Sequence, residues 1–272
     1  MDYTYFVDED GVLNRLHVEQ DPEPWNPRLD NDGNIGTMFC LHRRYNLGDA
    51  LPIKTALDMK YAMIEDAGMT PKQIVNAVRN FRACLHFYLD YDRHQRKWEI
   101  IRTPATVVAR EHSLEFLEEE IIDELTVQEI VSLTKGRLVA LPLFLYDHSG
   151  LAMSTGSFVG KAVHAEWDRG QVGWIWTTAK KAENISGIKK PSCDWLQKAL
   201  ESEVKTYSQY LEGDVYGYIV EKYEDGEWVE TDSCWGYYVD GIDPLSELSD
   251  EVFGTGKWSY EEPSLADSIP AA

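Results

Sequence analysis

The sequence lacks the features that mark several large classes of protein. No apolar run approaches the ~18 residues that a membrane helix needs, and the first residues show no basic stretch followed by an apolar core, so neither a membrane span nor a signal peptide is predicted. The four cysteines form no Cys-x-x-Cys pair, which predicts reduced thiols rather than a disulfide framework. These absences predict a protein of the cytoplasm, with no membrane as a partner.

The sequence also lacks the familiar catalytic and nucleotide-binding signatures. GxGxxG, GxSxG and HExxH are absent. Residues 156–161 resemble a phosphate loop, but this segment is one residue short and Ala162 stands where Ser or Thr would bind magnesium. The acidic turns at residues 8–11 and 30–33 lack the first and last carboxylates of a calcium loop. No cofactor is therefore predicted.

Four residues from separate parts of the sequence have side chains that could bind zinc. Cys40 and His42 share one face of a predicted strand, and His148 and Cys234 would complete a tetrahedral set. Buried cysteines are common in protein cores, and nothing in the spacing brings the distant residues together. Core packing is the favoured interpretation, and no metal is predicted.

Positive charge is scarce. The chain has 26 Lys and Arg against 47 Asp and Glu, a net charge of −21. A surface this negative repels nucleic acid, so direct binding of DNA or RNA is not predicted. Residues 201–272 hold 18 acids and three bases, whereas residues 72–110 hold eight bases and three acids. The basic segment could pair with acids of the same fold, or both could be ordinary solvated faces.

Hydrophobic periodicity predicts interleaved strands and helices without regular βαβ units. The fold class expected is α+β, a mainly antiparallel sheet with packed helices, in which a C-terminal helix is followed by a β-hairpin. We expect one domain over residues 1–253, with 50–136 as a helical insertion and 254–272 as a poorly ordered tail. The elements predicted include a hairpin over 2–18, helices over 54–66, 71–90 and 111–125, a strand over 138–146, a helix from the N-cap Ser192 to Gly213, a hairpin over 214–239 and a helix over 244–253.

One loop offers candidate catalytic residues. Asp147 and His148 follow the most apolar predicted strand, and Asp168 lies on the next irregular stretch. They support an alternative function, a hydrolase or nucleic-acid-modifying enzyme, metal-dependent or not. Neighbouring residues of an extended chain point in opposite directions, so Asp147 and His148 do not form a dyad with each other. Hydrogen bonding within a tight turn explains the same residues without catalysis.

Four blocks of sequence carry a family resemblance: residues 40–49 (CLHRRYNLGD), 141–150 (LPLFLYDHSG), 167–173 (WDRGQVG) and 232–238 (DSCWGYY). In this order they resemble a family of uncharacterised proteins carried by phages, plasmids and conjugative elements. The resemblance implies mobile DNA in a bacterial cell as the setting. It supplies no activity and no catalytic residue.

Charge and setting together predict a function. We expect an acidic mobile-element accessory protein, an inhibitor without enzymatic activity, that mimics the charge of DNA and binds a host defence or nucleic-acid-processing protein through its basic surface. The segment 111–125 would add to the acidic surface. The sequence leaves the oligomeric state open. The predicted binding residues are Glu212, Asp214, Glu224, Asp225, Glu227, Glu230 and Asp232, with Trp228 and Trp235 as aromatic anchors.

Core packing is the competing interpretation of the aromatic residues. Strand alternation predicts Trp235 and Tyr237 on one face and Tyr238 on the other.

Overall fold

The computed structural model describes residues 3–7, 11–29, 32–80, 86–102, 106–111, 113–147, 150–157, 169–239, 243–253 and 259–260. The chain forms two compact units. Unit 1 comprises residues 1–30, 147–152 and 205–272, and unit 2 comprises residues 31–146 and 153–204. The single domain expected over 1–253 stays a prediction, and nearly all of the expected tail lies outside the described residues.

The described strands are β1 (Thr4–Val7), β2 (Leu13–Gln20), β3 (Thr37–Cys40), β4 (Phe87–Asp92), β5 (Lys97–Arg102), β6 (Thr106–Glu111), β7 (Leu138–Asp147), β8 (Leu151–Ser154), β9 (Arg169–Thr178), β10 (Val215–Glu224), β11 (Glu227–Tyr238) and β12 (Ser259–Tyr260). The described helices are α1 (Ala56–Asp66), α2 (Pro71–Asn80), α3 (Glu118–Glu124), α4 (Val127–Leu133), α5 (Ala179–Ser186), α6 (Cys193–Glu212) and α7 (Pro244–Phe253).

The strands form three sheets, with the orders β11-β10-β2-β1-β12, β3-β9-β7-β8 and β4-β5-β6. The strand pairs whose residue-by-residue register is described, such as β10 with β11 and β7 with β9, are antiparallel. The predicted α+β class with mainly antiparallel sheets is therefore confirmed.

The five-stranded sheet organises unit 1. Phe6, Leu16 and Val220 are buried on one of its faces, where Leu245 of α7 packs against them. Strand β2 lies between β1 and β10, and β11 forms one edge of the sheet. The hydrophobic face thus fixes the position of β10, and β10 in turn holds the long outer strand β11.

Local signals set the limits of α6 and of the hairpin that follows it. The hydroxyl of Ser192 accepts a hydrogen bond from the backbone N–H of Trp195 at 3.2 Å, as an N-cap does. Gly213 ends the helix with a φ of +81°. Asp225 and Gly226 then form a two-residue turn with φ values of 52° and 94°, the left-handed geometry that a tight hairpin requires. The predicted helix and hairpin are both confirmed.

Pro142 lies in an interior strand of the four-stranded sheet. It pairs with Trp174 of β9, while β7 also borders β8. Proline cannot donate a ladder hydrogen bond, so the sequence predicts a bulge or an edge position there. The pairing of β7 with β9 has its irregularity one residue further on, between Leu143 and Phe144.

Two helix predictions are wrong in extent. The helix expected over 71–90 is described over Pro71–Asn80, and residues 81–85 lie outside the described residues. From Phe87 to Asp92 the chain is a strand in which Phe87 and Leu89 are buried and their neighbours exposed. The helix expected over 111–125 covers only Glu118–Glu124. The segment 50–136 is therefore only partly helical, because it also contains the three-stranded sheet β4-β5-β6.

Candidate interaction surface

The two units differ sharply in charge. The 104 residues of unit 1 include 25 Asp and Glu but only five Lys and Arg, a net charge of −20. The 168 residues of unit 2 include 22 acids and 21 bases, a net charge of −1. Almost the whole excess of negative charge in the chain thus belongs to unit 1.

The outer hairpin of unit 1 displays five of the predicted carboxylates. Glu224, Asp225 and Glu227 flank or form its turn, and Glu230 and Asp232 follow along β11; all five are exposed. We call these five residues the acidic edge. The other two, Glu212 and Asp214, precede β10, whose ten residues span about 30 Å at the usual rise per residue.

Hydrogen bonds position several of these carboxylates without neutralising them. Glu230 accepts a hydrogen bond from the hydroxyl of Ser233 at 2.9 Å, and Asp232 accepts one from the hydroxyl of Tyr218 at 3.3 Å. Burial, followed by the charge of Asp232, raises the pKa of the Tyr218 phenol, so this donor keeps its proton.

Ion pairing is sparse along the acidic edge. Lys222 contacts Glu224 at 3.1 Å. Among the residues that the structure describes, no lysine or arginine forms an ion pair with Asp225, Glu227, Glu230 or Asp232. Their charges are therefore presented to solvent.

The acidic segment of unit 2 is different. Lys72 contacts Glu115 at 2.9 Å, Lys60 contacts Asp123 at 3.9 Å, and Nε of Arg102 donates to Glu124 at 2.8 Å. Three acids of the segment 111–125 are thus paired with bases of unit 2. The expectation that residues 111–125 add to the acidic surface stays a prediction, with three of these carboxylates each paired to a base.

Trp228 has a packing role. The guanidinium of Arg15 lies 4.4 Å from the centre of the Trp228 ring and 4.3 Å from that of Tyr3, and its Nε donates to Glu221 at 2.6 Å. Burial lowers the pKa of Arg15, but the hydrogen bond and charge of Glu221 outweigh burial and raise it overall. The half-buried ring of Trp228 therefore helps to fix β11 on the sheet.

Trp235 is the more accessible of the two tryptophans, with 40% of its surface exposed. Its ring covers Gly217 so closely that a Cβ on this glycine would overlap it. A bulge at Gly236, with a φ of +89°, shifts the register between β10 and β11. Trp235 consequently lies on the Gly217 face while Tyr237 contacts Tyr218 on the opposite face, so the prediction that Trp235 and Tyr237 share a face is wrong.

The two tryptophans are expected to respond differently to truncation. Trp228→Ala removes the ring that covers Arg15 and should lower the free energy of unfolding by about 2 kcal/mol, as measured by urea denaturation. Trp235→Ala should change that free energy by less than about 1 kcal/mol but weaken partner binding about tenfold. Equal losses of stability in the two variants would contradict the distinction.

Sequence reasoning missed three further acids of unit 1. Glu19 pairs with Gly217, and the backbone N–H of Asp21 donates to the carbonyl of Val215 at 2.8 Å, so both lie beside the first half of β10. Glu23 follows and is exposed. No local pattern could have placed them there, because β2 and β10 are almost 200 residues apart in sequence.

The predicted catalytic residues form no described constellation. Asp147 is the half-buried last residue of β7, and His148 and Asp168 lie outside the described residues. Within the described part of the chain, no three His, Cys, Asp or Glu side chains are grouped so that they could hold a metal ion. The ring of His42 instead stacks on Tyr45 with 5.0 Å between centres.

Comparison of the chain with protein families, with curated proteins and with solved structures finds no match. In the part of the chain that the structure describes, no helix is long and apolar enough to cross a membrane.

Proposed function

We propose that the chain is an acidic accessory protein of a phage or plasmid, and that unit 1 binds the cationic, nucleic-acid-binding surface of a host defence or nucleic-acid-processing protein and blocks it. The observation that carries the proposal is the net charge of −20 on unit 1, set against −1 on unit 2. In an acidic protein without such a role, we would expect the excess of Asp and Glu to be spread over both units.

The charge density of unit 1 suits this role. One net negative charge falls on about every five residues of unit 1, and the acidic edge holds its carboxylates on the hairpin of β10 and β11. A protein that binds nucleic acid gathers Lys and Arg to replace the counterions of phosphates. Exposed carboxylates held on an ordered hairpin attract the same cationic groups.

The mechanism is competition. Opposite charge accelerates the encounter with a cationic groove, and the effect weakens with salt. Once bound, the acidic edge occupies the place of the phosphate backbone. The partly exposed ring of Trp235 adds an apolar contact with the partner. Catalysis by this chain is not needed for the effect.

A cleavage assay tests the proposal. A purified type I restriction enzyme and a nonspecific DNA nuclease would be mixed with duplex DNA and increasing amounts of the full chain. We expect inhibition of at least one enzyme, with the apparent inhibition constant rising in proportion to the DNA concentration. Inhibition that is independent of DNA concentration, or cleavage or modification of the DNA by the chain itself, would overturn the proposal.

A cellular assay supplies the biological setting. Expression of the chain in bacteria that carry the inhibited restriction system should raise the plating efficiency of unmodified phage. The matched control is a host without the system, in which plating should not change.

A further inference from the structure

A cleft in unit 2 has a charge opposite to that of the whole chain. It lies between α2 and the loop that joins α4 to β7, and its cavity volume is about 280 Å³. Met69, Ala77 and Leu133 contribute the apolar part of its lining. A cavity of this size is near the lower end of the range for small-molecule sites.

One wall of the cleft is a row of carboxamides on α2. Gln73, Asn76 and Asn80 are spaced by three and four residues, which places them on one face of the helix. The side-chain oxygen of Gln73 accepts a hydrogen bond from the backbone N–H of Thr70 at 2.8 Å, so its NH₂ group is left to donate elsewhere.

The opposite wall is cationic. Lys135 and Gly136 both adopt left-handed backbone geometry, with φ values of 55° and 78°, and the turn brings Lys135 and Arg137 into the lining of the same cavity. Both side chains are exposed, and within the described residues neither forms an ion pair.

The presence of two bases and no acid among the described residues of one lining is what points to a ligand. Lys60, Lys72 and Arg102 each have a carboxylate partner, whereas no acid is among the described residues that line this cleft. Two cations that line the same cleft as carboxamide donors suit an anion, because guanidinium and phosphate form paired hydrogen bonds. One N–H of the Asn80 carboxamide already donates to the carbonyl of Asn76 at 3.0 Å, so its second N–H and the other carboxamides are the donors.

We propose that this cleft binds a small organic phosphate. The phosphate group is held by Lys135 and Arg137 and accepts hydrogen bonds from the carboxamide wall, and the organic part packs on Met69 and Leu133. The site is independent of the acidic edge, so this proposal does not rest on the proposed function of unit 1.

Calorimetric titration of the full chain tests the proposal, with adenosine 5′-monophosphate, ribose 5-phosphate and inorganic phosphate as probes. We expect saturable binding of at least one organic phosphate, and binding at least about tenfold tighter than that of inorganic phosphate, because only the organic probes reach the apolar lining. No saturable binding up to about 10 mM, or equal affinity for inorganic phosphate, would overturn the proposal.

Variants locate the site. The double variant Lys135→Gln with Arg137→Gln should weaken binding at least about tenfold, since two charge-assisted contacts are lost. Lys189→Gln with Lys198→Gln changes the net charge equally on exposed residues away from the cleft lining and should leave the affinity unchanged. Asn76→Asp, which adds a carboxylate to the wall, should also abolish binding, and provides a second test if the double variant does not fold. Undiminished binding in a folded variant would overturn the proposal.

Discussion

Replacing Glu224, Glu227 and Glu230 by lysine should weaken binding of the chain to its inhibited enzyme at least about 100-fold at low salt. All three side chains are exposed on the outer hairpin, and reversal converts three attractions to a cationic groove into three repulsions. Close charge pairs in protein complexes have coupling energies of about 1.5–7 kcal/mol, so a combined loss of about 2.7 kcal/mol is a modest expectation. Kinetic binding measurements should show much of the effect in the association rate.

The matched control reverses Glu65, Glu119 and Glu120 to lysine. These residues are exposed in unit 2, where acidic and basic residues are balanced, and the change in net charge is the same, from −21 to −15. We expect little change in affinity. If both triple variants weaken binding equally, only the total charge matters and the acidic edge has no special role. Replacing Glu224, Glu227 and Glu230 by glutamine should weaken binding, but less than replacing them by lysine.

Gly173→Ala should lower the free energy of unfolding by at least about 3 kcal/mol, a large part of the 5–15 kcal/mol that stabilises a typical domain. Gly173 of β9 pairs with Cys40 of β3 and with Leu143 of β7. A Cβ at this position would overlap the carbonyl oxygen of Phe39 and lie 2.9 Å from Cα of Cys40. These are backbone atoms, so relief requires β3 to move away from β9. Urea denaturation measures the loss.

Gly170→Ala is the control for this substitution. Gly170 lies on the same strand, and a Cβ added there meets no atom within 4 Å. Its effect should stay within about 0.5 kcal/mol. A similar effect of both substitutions would show that loss of a strand glycine, and not the close approach of β3, determines the result.

Local signals in the sequence predicted α6 and the hairpin that carries the acidic edge. Ser192, Gly213 and the Asp225-Gly226 turn each act through backbone geometry within a few residues, so they can be identified without the rest of the fold. The helix expected over 71–90 is wrong from Phe87 onward, because its apolar spacing continued by coincidence into a strand. From Phe87 the alternation of a strand fits equally well, and pairing of β4 with β5 decides between them.

The candidate surface was predictable in part. The sequence shows its carboxylates, but it does not show which of them form ion pairs with lysine or arginine. Whether a lysine reaches Glu115 or leaves Glu227 exposed depends on contacts between distant segments. The bulge at Gly236 is similar, because one additional residue in β11 reverses the faces that alternation assigns beyond it.

The most direct test of the central claim is an equilibrium competition measured at several salt concentrations, with labelled duplex DNA, the inhibited enzyme and the full chain. We predict that the chain displaces the DNA completely and that its affinity falls at least about tenfold between 0.05 and 0.2 M NaCl. A ternary complex of enzyme, DNA and chain, or an affinity that does not change with salt, would contradict the account.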